Sequence, residues 1–173
     1  MKILMIRHGK ADYSYGDNHN FIGHGHDLAI LDENHIQDVI ITSKDERLKQ
    51  ADLIVASPYT RALQTAAIIS KETGLDIKIE HDLREWEPDS KYLYKADETK
   101  GIYKEYIKNN GVHPSDKNVD WESKENLKNR VLSVIEKYKD NHECIIFVFH
   151  QMAIQSITNK EKVSPAEIVE YII

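Results

Sequence analysis

At 173 residues, 40% hydrophobic and 30% charged, the chain is sized for one domain with a real core, and its composition excludes disordered and fibrous classes. A formal charge of −6 argues against a nucleic-acid surface, which needs a basic face, but permits a local arginine pocket for a small anion. The lone Cys144 rules out an internal disulfide or thiolate-rich metal site, and the four-residue apolar run near the N-terminus is too short for a signal peptide or membrane span, leaving the cytoplasm as the default location.

Ile3-Leu4-Met5-Ile6 is a short continuous apolar run, the pattern of a buried strand, and Arg7-His8-Gly9 follows it at once. Residues 9–30, rich in Gly, Asp, Asn and His, read as a long loop. Asp32 reads as the cap of a helix from Glu33 that places Ile36, Val39 and Ile40 on one face. Leu53–Ala56 is a second buried strand. Ser57-Pro58 then reads as an N-cap with proline in the first helical turn, and Ala62, Ala66 and Ile69 keep helical spacing to a stop at Gly74. Asp76–Glu80 alternates as a third strand. Residues 88–120 form the least regular part, with short helices expected around 91–109 and the composition of a cap. Ser123 is the expected cap of a helix whose Leu127, Val131, Val134, Ile135 and Tyr138 make an apolar stripe. Ile145–Phe149 is a fourth buried strand ending on His150, followed by a helix from Gln151 and a short edge strand at Ile168–Ile172. This alternation predicts a single α/β domain over 1–173, a three-layer αβα sandwich on a mostly parallel sheet, with a small cap from loop insertions. Cys144, inside an apolar run, reads as a buried and inert thiol.

Three strand exits thus carry Arg7 and His8, Arg61, and His150, and in an open α/β sheet ligands bind at that edge. Taken alone, each has an ordinary explanation: a solvent-turned arginine, a histidine hydrogen-bonded at a strand end. Together, two arginines beside a helix N-terminus make a phosphate cradle. Positive charge beside His8 lowers its pKa and keeps the ring neutral, the form a nucleophile needs. Glu85, in Asp82-Leu83-Arg84-Glu85-Trp86, would be protonated beside a phosphate dianion and could donate to a leaving oxygen; Asp82 and Glu87 compete for that role. His19, His24, His26 and His35 lack helical metal-ligand spacing, so a solvated or pocket-covering loop is the better reading than a metal site.

These residues resemble the histidine phosphatase superfamily, also called phosphoglycerate mutase-like, nearly end to end. Leu4-Met5-Ile6-Arg7-His8-Gly9 is similar to its strand followed by R-H-G, and Ser57 through Ala66 to S-P-x-x-R-A-x-Q-T-A. Leu83-Arg84-Glu85 resembles the L-x-E segment, Glu122-Ser123 with Arg130-Val131 the weaker E-S…R-V pattern, and Val148-Phe149-His150 the strand delivering a second histidine. The resemblance implies a phosphatase in which His8 becomes a phosphohistidine and Arg7, Arg61 and His150 hold the phosphoryl oxygens. It also implies that Glu85 protonates the leaving group and that no metal or organic cofactor is required. Gln151 stands where most members have Gly; fructose-2,6-bisphosphatase-like members also carry Gln there, which hints at a phosphosugar. His35 and Trp121 replace frequent glycines away from this chemistry.

The expected substrate is a small phosphorylated metabolite, and no nucleic-acid or membrane partner is expected. Phosphoglycerate mutase-type transfer is the nearest rival, disfavoured by the short chain. A non-catalytic phospho-ligand binder, a histidine-loop metal protein and a protein phosphatase complete the alternatives. Oligomeric state is not legible.

Overall fold

A computed structural model describes residues 1–158 and 160–173. The elements run β1 (Lys2–Arg7), β2 (Ala11–Asp12), α1 (Ser14–Asn18), α2 (His24–Asp27), β3 (Ile30–Leu31), α3 (Ile36–Ser43), β4 (Ile54–Ala56), α4 (Thr60–Thr73), β5 (Ile77–Ile79), α5 (Ala96–Lys108), α6 (Lys124–Glu136), β6 (Cys144–Phe149), α7 (Gln151–Ile157) and β7 (Ile168–Ile172). The central sheet has the order β5-β4-β6-β1-β7, parallel except for the edge strand β7.

The unbroken apolar runs of β1 and β6 have a physical reason: both faces of a parallel sheet are covered, so every side chain in them is buried. Ile3, Met5, Ile145, Phe147 and Phe149 pack in the same cluster as Leu127, Val131, Val134 and Ile135 of α6. Leu4, Ile6, Ile146 and Val148 pack with Ala62, Ala66 and Ile69 of α4. These are the layers of the expected αβα sandwich. Cys144 is buried within the second cluster.

Three local expectations change. The stretch after Gly9 is not a featureless loop: β2 pairs antiparallel with β3, and α1 and α2 fill the segment between them. Asp32 does cap a turn, accepting from Asn34 N, but that turn is 3-10 and the α-helix begins only at Ile36. The 91–109 region holds one helix, α5, with its apolar Tyr106 turned into the core beside Trp86 and Trp121.

Candidate active site

The register brings the predicted residues to one edge. β1 and β4 flank β6 in parallel, and the pairing continues one residue past the strands. His8 N donates to Phe149 O at 3.0 Å and Ser57 N to Val148 O at 3.0 Å, with His150 next in the chain. Gly9 is needed here for close approach: a Cβ would sit 2.5 Å from Val39 Cγ2, so the turn after His8 can pack against α3 only without a side chain.

His8 is 5% exposed. Its Nδ1 lies 2.6 Å from the Gly9 carbonyl, which can only accept, so Nδ1 carries the proton and Nε2 keeps a lone pair. Arg61 Nε donates to that Nε2 at 3.2 Å. Burial first, and the Arg61 charge second, push His8 down to about 3, so the ring is neutral through the physiological range. His150 is fully buried, and its ring centroid lies 5.1 Å from that of His8. Burial and the neighbouring Arg61 hold it well below the ordinary histidine range. Its Nε2 is 2.8 Å from Ser57 Oγ, whereas Nδ1 is buried without a hydrogen-bond partner among the described residues.

Ser57 is therefore not the helix cap that its position before Pro58 suggests. The N-cap is Tyr59, α4 begins at Thr60, and the Ser57 hydroxyl both accepts from Tyr59 N at 3.3 Å and bonds His150 Nε2. Arg61 still falls in the first turn, 3% exposed, between the rings of Tyr13 and Tyr59 at 5.6 and 5.0 Å. Arg7 is fixed through one terminal nitrogen, which donates to Gln151 Oε1 at 2.6 Å and to Val163 O at 2.7 Å. Its buried Nε has no partner among the described residues. Two buried polar atoms left unpaired in one site are unusual in folded proteins.

Glu85 is partly buried. Its carboxylate accepts from the backbone N–H of Trp86 (3.0 Å), Met152 (3.3 Å) and Ala153 (3.2 Å), at the start of α7. Burial raises its pKa, and these hydrogen bonds only partly oppose the shift. The competing acids are occupied elsewhere: Asp82 pairs with Arg84 at 2.8 Å, and Glu87 pairs with Arg84 and with the Tyr92 hydroxyl. Arg130 fixes the Glu85 turn. It donates to the carbonyls of Asp82, Arg84 and Glu85 at 2.7, 2.8 and 2.9 Å and to both oxygens of Glu122.

A cavity of about 350 Å³ opens beside these groups, its wall including Tyr13, Asp27, Arg61, Glu85, Trp86, Tyr94, Tyr103 and Met152. Arg7, His8 and His150 are not on that wall, and His8 is tied to it through Arg61. The loop histidines do not converge. His24 stacks on Tyr92, His26 stacks on Tyr13 and bonds Asp17, and among the described residues no three metal-ligating side chains come together. Sequence reasoning missed Asp27, and reached Tyr94 only as part of the 88–120 cap. Asp27 pairs with Arg61 at 3.4 Å and accepts from the Tyr94 hydroxyl at 2.9 Å. An aspartate among glycines and histidines in an apparent loop carries no local signal for this.

The family model described as histidine phosphatase superfamily (branch 1) matches residues 3–169. The chain is 26% identical over 161 residues to a protein of Hydrogenobacter thermophilus named putative phosphoserine phosphatase 2, covering 90% of this chain and 76% of that one. In fold it is similar to the mycobacterial glucosyl-3-phosphoglycerate phosphatase, with a TM-score of 0.74, 18% identity and coverage of 98% and 91% of the two chains. It is likewise similar to Bacillus stearothermophilus YhfR, with a TM-score of 0.73, 18% identity and coverage of 98% and 89%.

Proposed function

The chain belongs to the histidine phosphatase superfamily, and on that premise we propose that it hydrolyses phosphomonoesters of a small metabolite through a phosphohistidine on His8. One observation carries the reading: a neutral imidazole with its Nε2 lone pair directed at a buried guanidinium, 5.1 Å from a second buried imidazole ring. In the first step Nε2 bonds to phosphorus, the ester P–O bond breaks, and the Glu85 proton passes to the leaving oxygen. In the second, water attacks phosphorus, its proton goes to Glu85, and the P–N bond breaks to release phosphate.

Arg7 and Arg61 supply the positive charge that the phosphoryl oxygens require, and the unpaired Arg7 Nε and His150 Nδ1 are the natural donors to them. The mechanism assigns no part to a metal or organic cofactor. Glu85 shares the cavity wall with Arg61, so the leaving group would lie in the 350 Å³ space. The rings of Tyr13, Trp86, Tyr94 and Tyr103, with Thr99 and Lys100, suit the C–H face and hydroxyls of a phosphosugar. Residues 88–120 then act as a substrate cap within one domain spanning 1–173.

A screen over many phosphometabolites tests this, with His8→Ala as control. Free phosphate from the wild type, a phosphoryl label on His8 and background activity in a folded His8→Ala variant are expected. Substantial turnover by that variant would refute the mechanism.

A further inference from the structure

We propose that Asp27 is an internal carboxylate competitor for the phosphoryl group, tethered to the cap by Tyr94, and that it sets the affinity of this site for phosphate. The inference rests on the phosphoryl-binding reading of Arg61, and its observations concern what that guanidinium already holds. Both terminal nitrogens of Arg61 are turned on Asp27. Nη1 donates to the Asp27 carbonyl at 3.3 Å and to Oδ1 at 3.4 Å, and Nη2 donates to the same Oδ1 at 3.4 Å. The third nitrogen, Nε, is spent on the lone pair of His8. A phosphoryl oxygen pair approaching Arg61 in the bidentate manner would need the terminal nitrogens that Asp27 occupies. The attacking nitrogen, in turn, is free only when Arg61 shifts.

The carboxylate is placed to be exchanged. It lies on the cavity wall with Arg61, its hydrogen bonds to the guanidinium are long, and it cannot share the fork with a phosphoryl dianion without like-charge repulsion. Tyr94 holds it in place, donating to Oδ2 at 2.9 Å. The same Tyr94 accepts Gly23 N at its carbonyl, also 2.9 Å, where the two segments touch so closely that a Cβ on Gly23 would lie 1.9 Å from Tyr92 O. Displacing Asp27 therefore breaks one of the two hydrogen bonds that join α2 and its N-cap Gly23 to Tyr94. A site whose competent form is only partly populated binds more weakly by that fraction.

Titration of inorganic phosphate into the wild type, Asp27→Asn and Tyr94→Phe by calorimetry tests the idea, with thermal melting as a check on folding. Asp27→Asn should bind phosphate roughly tenfold more tightly, and Tyr94→Phe, which loses only the tether, more tightly by a smaller factor. Phosphate bound by Asp27→Asn but not by the wild type would support the proposal more strongly still. Equal or weaker binding in both variants, with measurable binding to the wild type, would overturn it and make Asp27 a support for Arg61. Should Asp27→Asn fail to fold, Tyr94→Phe alone decides, on the same criterion. Absence of binding in all three proteins would count against the phosphoryl site itself and remove this proposal with it.

Discussion

Replacing Arg130 by Met tests whether a buried ion pair holds Glu85, the proposed general acid, in place. The two side chains are 10% and 7% exposed, and Arg130 is committed to both Glu122 oxygens and three carbonyls of the 82–85 turn. Glu122 in turn accepts Trp86 Nε1 at its carbonyl (2.7 Å) and donates its N–H to Glu87 O (2.8 Å), so the pair clamps the turn from both sides. Removing one partner of a buried pair costs about 3–5 kcal/mol, because the other charge is left uncompensated. Carbonyls that lose their donors bring the expected loss to about 4–6 kcal/mol. For a chain of this length that corresponds to a fall in Tm of roughly 10–20 °C. The double variant Arg130→Met/Glu122→Leu removes both charges and should recover at least half of the loss. Urea and thermal unfolding of the four proteins of this cycle provide the measurement. At temperatures where Arg130→Met is fully folded, its kcat should fall more for alkyl than for aryl phosphates, since an aryl leaving group depends less on Glu85. A loss below about 1 kcal/mol, or a double variant no better than the sum of the singles, would refute the clamp. An unchanged alkyl-to-aryl ratio would leave it a stabilising pair with no bearing on the acid.

Three further outcomes are expected. Glu85→Gln should slow alkyl phosphates by about 10²–10⁴ while aryl phosphates slow much less; equal slowing would move the acid to another residue. The pH dependence of kcat/KM follows from the two shifts. In the proposed mechanism His8 must be neutral, so the acidic limb should lie near its value of about 3, and Glu85 must be protonated, so activity should fall as pH rises through its raised pKa. An alkyl substrate should show that basic limb in the wild type and lose it in Glu85→Gln, and a limb that persists would belong to the substrate or another group. Ser57→Ala deprives the buried His150 of its Nε2 partner and should cost about 1–3 kcal/mol of stability in denaturant titration, with Ser57→Thr restoring most of it.

What the sequence disclosed was governed by local rules. Continuous apolar runs marked β1 and β6 because both sheet faces are covered, and the 127–135 stripe marked α6 because one helix face is. The residues at and just past each strand end were then placed by topology alone, which is why Arg7, His8 and His150 could be anticipated as neighbours. The misreadings arose where a side chain answers to a distant partner. Ser57 looked like a cap because capping is the local use of serine before proline; its hydroxyl does accept from Tyr59 N, but the helix starts later and the same hydroxyl also bonds a histidine 93 positions away. Asp27 and Tyr94 are separated by 67 residues, and neither sits in a pattern of period two or 3.6. The 9–30 segment was opaque because elements of two to five residues are too short to show periodicity.

The electrostatics of the site reduce to a division of labour that the two imidazoles make necessary. Burial and adjacent guanidinium charge both act against protonation of His8 and His150, so neither ring contributes a cation at neutral pH. Charge must therefore come from Arg7 and Arg61, and burial that lowers Arg7 is partly offset by the nearby Glu85 carboxylate. Moving the positive charge onto guanidinium groups, which do not lose their protons, leaves an imidazole free to be a nucleophile. On the proposed reading, the same arrangement lets a chain of net charge −6 attract a dianion, through Arg7 at the end of β1 and Arg61 in the first turn of α4. It also gives the acidic neighbours a purpose. In the proposed reaction, Glu85 beside the leaving group gains a proton more readily once a dianion arrives, and Asp27 on the Arg61 fork is the charge that the dianion would have to outcompete.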